Sequence, residues 1–109
     1  MARRWTSFDS ETTNAEFAGI PQPDLRALFT AMGRYGRSLD GGYVVRNYGG
    51  DLYMIKATNH TSGRCLFFTI DTEEPTKLVA LLAYKKESDE APDSLIRAAR
   101  ERRGRYLER

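Results

Sequence analysis

The sequence predicts an α+β fold: a small, mainly antiparallel, twisted sheet with N-terminal helices and a C-terminal helix packed on one of its faces. Three observations predict it. Short β-rich segments, "YVVRNY", "DLYMIKA" and "RCLFFTI", are separated by the turn clusters Asp40-Gly41-Gly42, Gly49-Gly50-Asp51 and "NHTSG". A continuous apolar run, "KLVALLAYKK", follows and suits a central strand covered on both faces. Helical periodicity appears only before residue 37 and after Pro92.

Taken in order, "RRWTSFDS" reads as a short first strand around Trp5 and Phe8. "ETTNAEFAGI" reads as a short helix. In "PQPDLRALFTAMGRYG", Pro21 and Pro23 suit the approach and first turn of a longer helix. Leu25, Leu28, Phe29 and Met32 follow the i, i+3, i+4, i+7 spacing of one apolar face, and Gly33 and Gly36 are expected to end the helix. The glycine clusters then punctuate three strands, with "NHTSG" as the loop of a hairpin between the last two. "DTEEPT" turns the chain into the apolar strand. Pro92 opens the final helix, with Asp93 favourable in its first turn. Leu95, Ile96, Ala99, Tyr106 and Leu107 are expected to dock it.

The chain has 109 residues, the size of one domain spanning residues 1–109, and 40% hydrophobic residues, a globular composition. A single cysteine excludes an intrachain disulfide, and Cys65, beside Leu66, Phe67 and Phe68, reads as a small buried residue. One cysteine and one histidine make a zinc site unexpected, and no cofactor is implied. No apolar stretch approaches the roughly 20 residues of a membrane span. "MARRWTSFDS" lacks the apolar segment of a secretory signal, so a cytoplasmic protein without membrane contact is expected. The net charge of +2 is mild, but Pro92 to Arg109 carries six arginines against Asp93, Glu101 and Glu108.

Cations also gather at strand ends. Alternation puts Lys56 on the face of Leu52 and Met54, with Tyr53 and Ile55 on the other. Arg64 opens the next strand, and Lys86 shares a face with Tyr84 and Leu82. If the strands are hairpin neighbours, Lys56 and Arg64 lie at the same end; where Lys86 lies is left open. Strand-end cations commonly guard an edge against pairing. Clustered on one face they repel one another, and such a cluster favours an anion such as a phosphate backbone. His60 sits in the loop between Lys56 and Arg64 and titrates near neutrality, the range of a proton carrier.

The stretch "GGDLYMIKATNHTSGRCLFFTIDTEEPTKLVALLAYKKESDEAPDSLIRAARERRGRYLE", residues 49–108, resembles the RelE/HigB toxin superfamily, in particular its HigB-like branch with phage-derived relatives. That branch reads as glycine, a short "L-aromatic-E-L-R" strand, a loop, an "R-aliphatic-F-aromatic" strand, an "L-L-x-x-F-x-K-K" strand, a polar turn, proline, and a basic helix ending near "Y-L". Lys56 falls on the basic residue closing the first strand and Arg64 on the arginine opening the second. Tyr84 falls on the aromatic before the lysines, and Lys86 on the first lysine. Glu87 stands where the second lysine would be, Met54 where the family has glutamate, and Ala91 where a threonine would cap the helix.

The resemblance implies a toxin of a type II toxin–antitoxin pair that inhibits translation and growth by cutting mRNA, usually on the ribosome, without a metal. In that chemistry the ribose 2′-OH attacks the adjacent phosphate, which requires a base, an acid and cations on the phosphorane. It implies Arg64 on the phosphate, Lys56 or Lys86 as base or electrostatic stabiliser, and His60 or Tyr84 as acid. Tyr48, Tyr53 and Tyr84 are candidates for stacking on bases. Arg46, Lys85, Arg97, Arg100 and Arg103, with Arg102 and Arg105, are candidates for contact with mRNA, the rRNA of the 70S ribosome or an antitoxin. The implied partner is a helix-turn-helix antitoxin. Two alternatives share the fold: a ParE-like inhibitor of DNA gyrase, and a non-catalytic protein that binds RNA or protein through the same basic face.

Overall fold

The computed structural model describes residues 3–59, 61–72 and 74–108. The elements run β1 (Arg3–Ser7), α1 (Ser10–Ala18), α2 (Gln22–Gly36), β2 (Tyr43–Gly49), β3 (Leu52–Ala57), β4 (Gly63–Ile70), β5 (Thr76–Lys85) and α3 (Asp93–Leu107). All five strands form one sheet in the order β1-β5-β4-β3-β2. β2 to β5 are successive antiparallel neighbours, and β1 pairs in parallel with β5 at one edge. The architecture is therefore α+β with a mostly antiparallel sheet, and the apolar run is an interior strand.

The helices do not share one face of the sheet, as the sequence suggested. Leu28 and Met32 of α2 pack with Ile55, Cys65, Phe67, Leu78 and Ala83 on one side. Ala99 of α3, with Leu95, Ile96 and Tyr106, packs with Leu52, Met54, Leu66, Phe68 and Val79 on the other. Sheet residues buried on both faces leave no polar alternation from which a covered face can be told from an open one. Phe67 anchors the α2 side, with Trp5 edge-on at 5.0 Å, Tyr35 at 5.7 Å and Tyr53 at 5.6 Å between ring centroids. Trp5 Nε1–H donates to the Met32 carbonyl at 2.7 Å, so the indole is both packed and satisfied.

Two expected details differ. α2 continues through Gly33 to Gly36, because the apolar face it shares with the sheet outweighs the modest helix penalty of one glycine. Leu107 does not dock; it is 60% exposed at the end of α3. Gly50, in the β2–β3 turn, has φ +58°, and a Cβ there would lie 3.0 Å from Arg100 Nη1. The positive φ is what favours glycine in this turn, since the Arg100 tip is free to swing away from a Cβ.

β1 ends before β5 does, which leaves backbone groups of β5 at an unpaired edge. Phe8 N–H donates to the Ala80 carbonyl at 3.0 Å, the last rung of that ladder. Register then slips against β4: Leu66 pairs with Leu82 and Phe67 with Ala80, so Leu81 is an extra, bulged residue. Arg102 of α3 donates to the Leu81 carbonyl at 2.8 Å, and Glu16 of α1 accepts from Ala83 N–H at 3.1 Å. The two side chains pair with each other at 2.8 Å and are mostly shielded from water. Together they replace the missing strand at this edge. Glu16→Ala is expected to lower stability by about 1–3 kcal/mol, the range for an orphaned buried hydrogen-bonding group. Urea melts of Glu16→Ala, Arg102→Ala and the double variant check it; the double loss should fall short of the sum of the singles.

Candidate functional site

The antiparallel order of β3, β4 and β5 settles where Lys86 lies. Lys56 ends β3, Arg64 begins β4 and Tyr84 near the end of β5 is paired with Arg64, so all sit at one end of the sheet with no crossing connection. Lys86 N–H donates to the Ser62 carbonyl at 2.7 Å and extends that ladder by one residue. Lys56, Arg64 and Lys86 line one polar cavity of about 230 Å³ with Asp24, Asn59, Thr61 and Ser62. α3 packs on this face farther along the sheet, over Leu52, Met54, Leu66 and Phe68.

Arg64 is only 3% exposed. Its Nη1 donates to the Thr61 carbonyl at 2.7 Å and the Gly63 carbonyl at 2.9 Å, which fixes the guanidinium in the cavity wall. Burial holds its pKa below the ordinary arginine value, with the nearby Arg46 charge adding to the effect. Lys56 is likewise held below the usual lysine range, first by burial and then by the charges of Arg64, Lys86 and Arg46. It has no hydrogen-bond or ion-pair partner among the described residues. The Tyr84 hydroxyl is pushed up to about 12, chiefly by burial. It therefore keeps its proton at neutral pH and can act as a donor.

The cavity's remaining wall comes from α2. Asp24, in the first turn of that helix, accepts from Ser62 N–H at 3.1 Å and from the Ser62 hydroxyl. Those bonds hold its carboxyl below the usual range. A Cβ on Gly63 would lie 3.1 Å from the Asp24 carbonyl and 3.2 Å from Leu28 Cβ. Glycine is what allows the start of α2 to close against the start of β4. Nothing local to Asp24 in the sequence signals its contact with Ser62, 38 residues away.

Acidic partners also come from the turn between β5 and α3. Lys86 Nζ pairs with Asp89 at 2.9 Å, and Arg46 Nη1 with Glu90 at 2.5 Å. Tyr48 hydroxyl donates to Glu90 at 3.4 Å and accepts from Ala91 N–H at 3.3 Å. Arg46 and Tyr48 lie on the same sheet face as Lys56, since Arg46 pairs across from Met54.

The other residues singled out from the sequence are spread more widely. Lys85 is exposed on the sheet face opposite Lys86. Arg97 is exposed on α3. Arg100 donates to the Tyr48 and Gly49 carbonyls at 3.1 and 3.3 Å, and Arg103 to the Gly50 carbonyl, so both fasten α3 to the β2–β3 turn. Arg105 pairs with Glu101 along the helix. Tyr53 packs against Phe67 on the α2 side and cannot stack on a base beside Lys56. Met54, where the resembled family has glutamate, is buried in the α3-side core. Cys65 is buried and its thiol raised far above the usual range by desolvation, consistent with a packing role. His60 lies outside the described residues. Among the described residues no cluster of His, Cys, Asp and Glu could hold a metal, and no helix is long and apolar enough to cross a membrane.

No protein-family model matches the chain, and no curated protein matches it.

The arrangement concentrates three cations around a small polar cavity and gives Lys56 a lowered pKa. Because the folded state disfavours the Lys56 proton, this group opposes folding at neutral pH. That penalty fades as pH rises through its folded pKa toward the ordinary 10.5. Lys56→Met, which keeps the stem and removes the charge, is expected to stabilise the fold by a few tenths to about 1 kcal/mol at pH 7. The gain should shrink as pH approaches 10.5. Denaturant melts at several pH values check the sign; a loss of stability at pH 7 contradicts the electrostatic account.

Proposed function

We propose that this chain is a RelE/HigB-like toxin of a type II toxin–antitoxin pair, and that it cleaves mRNA without a metal. One observation carries the reading: Lys56, Arg64 and Lys86, which the resemblance ranks as site residues, line the same polar cavity although they come from β3, β4 and the residue just past β5. The succession of glycine turn, three antiparallel strands, polar turn, proline and basic helix over residues 49–108 supports a RelE-like sheet.

The residues divide the chemistry as follows. The buried, fixed guanidinium of Arg64 holds the scissile phosphate and stabilises the phosphorane charge. Lys56, unpaired among the described residues, steadies the phosphorane in its charged form and, in the fraction of complexes where its amine is neutral, takes the proton of the ribose 2′-OH. The 2′-oxygen forms a bond to phosphorus and the bond from phosphorus to the 5′-oxygen breaks. The products are a 2′,3′-cyclic phosphate and a 5′-hydroxyl, whose proton comes from Tyr84 or His60. Lys86 adds charge on the phosphate once Asp89 releases it. The partners are mRNA on the 70S ribosome and a helix-turn-helix antitoxin, and the action is cytoplasmic.

A second reading, binding without cleavage, draws on two contacts. Arg64 Nη1 is already engaged by two carbonyls, and Met54 supplies no carboxylate near the cavity. Induced expression in a bacterium, with growth followed and mRNA 5′ ends mapped, separates the readings. The wild type should arrest growth and create new mRNA ends. Lys56→Met and Arg64→Ala should each reduce the new ends by about 10²–10³-fold, the range for removing one transition-state contact. Arrest with intact mRNA would point to a gyrase target or to a blocking complex on RNA. No arrest at matched protein levels would sink the toxin reading.

A further inference from the structure

The turn 86–91 carries more acid than a strand-to-helix connection needs. "KESDEAP" contains Glu87, Asp89 and Glu90, and two of the three are spent on cations of the candidate site. Asp89 holds Lys86, and its carboxyl is depressed by Lys86 first and then by the Arg46 and Lys56 charges, so it faces the whole cluster. Glu90 holds Arg46 and also reaches the Tyr48 hydroxyl. Both carboxylates are largely open to water, where such pairs exchange at little cost.

On the reading that this face binds a polynucleotide, we propose that the turn is a built-in electrostatic latch. Asp89 and Glu90 occupy the positions that two backbone phosphates take when single-stranded RNA binds. Lys86 then contacts the phosphate held at Arg64, and Arg46, which lies outside that cavity lining, contacts a neighbouring one. The latch has two consequences. It offsets the repulsion among Arg46, Lys56, Arg64 and Lys86 in the free protein. It also favours a polyanion: a single anion exchanges for one carboxylate at a time, whereas a strand with several linked phosphates displaces both in one event. Glu87 lies on the same turn without a partner among the described residues, and so gives the effect per negative charge lost, to be doubled on a logarithmic scale for comparison with the double variant.

The test is binding of a fluorescent, fully 2′-O-methylated oligoribonucleotide, which cannot be cleaved through its 2′-oxygens, across a salt series. Asp89→Asn/Glu90→Gln should bind about 10-fold tighter than wild type at low salt, because two competing anions are gone. Glu87→Gln should change affinity less than about 2-fold, as expected of an unpaired surface charge. A double-variant gain no larger than the doubled Glu87→Gln gain, or no gain in either, overturns the latch while leaving cleavage to be judged from the unmethylated strand. Failure of every protein to bind overturns the latch together with the polynucleotide reading. Should the double variant unfold, amide hydrogen exchange in the wild type decides. The amides of residues 87–91 should exchange faster when the oligonucleotide is bound, and unchanged or slower exchange there overturns the proposal.

Discussion

Like charge gathered at one end of a sheet is the constraint around which this molecule is arranged. The antiparallel pairing of β3 with β4 and of β4 with β5 brings Lys56, Arg64, Tyr84 and Lys86 to the same end. Hydrogen bonding and core packing fix that register, so the cations cannot separate without slipping a strand and turning its buried face to water. The protein instead surrounds them. Carbonyls of Thr61 and Gly63 hold Arg64, Asp89 holds Lys86 and Glu90 holds Arg46. Asp24 closes the cavity from α2. Lys56 is left with the least compensation and carries the electrostatic burden as a lowered pKa.

The rest of the fold braces the sheet around this end. α3 packs farther along the same face and is fastened to the β2–β3 turn by Arg100 and Arg103. The Arg102–Glu16 pair seals the edge of β5 where β1 stops and the Leu81 bulge begins. The arginines of α3 that looked like a binding stripe are thus partly structural. Donors of Arg100, Arg102 and Arg103 satisfy backbone carbonyls that no strand reaches, and the Arg102 charge is shielded in its pair with Glu16.

Much of the sheet was legible because its signals are local. Gly49-Gly50-Asp51 marks a turn through backbone freedom, and period-two alternation put Lys56 and Met54 on one face. The bulge at Leu81 was not legible. In "LVALLA" every residue is apolar and both faces are covered, so an extra residue leaves no break in the pattern. For the same reason the sequence did not reveal that α2 and α3 take opposite faces. The three strand-end cations stood out, but Asp24 did not, since its role depends on α2 folding back against the β3–β4 loop. Asp89 finds Lys86 three residues back in the same turn, but Glu90 gains its partner only through the register that brings Arg46 toward the β5–α3 turn.

The most direct test is an NMR titration of the Lys56 side chain, through its ε-carbon shift, free and with an oligoribonucleotide blocked at every 2′-oxygen. The account predicts a pKa below the ordinary 10.5 in the free protein, because burial and three neighbouring cations disfavour the proton. It predicts a rise when the oligonucleotide binds, because phosphate oxygens reverse the local potential. A free pKa at the ordinary value would contradict the clustered-cation site. A lowered pKa that does not move on binding would contradict phosphate as its ligand.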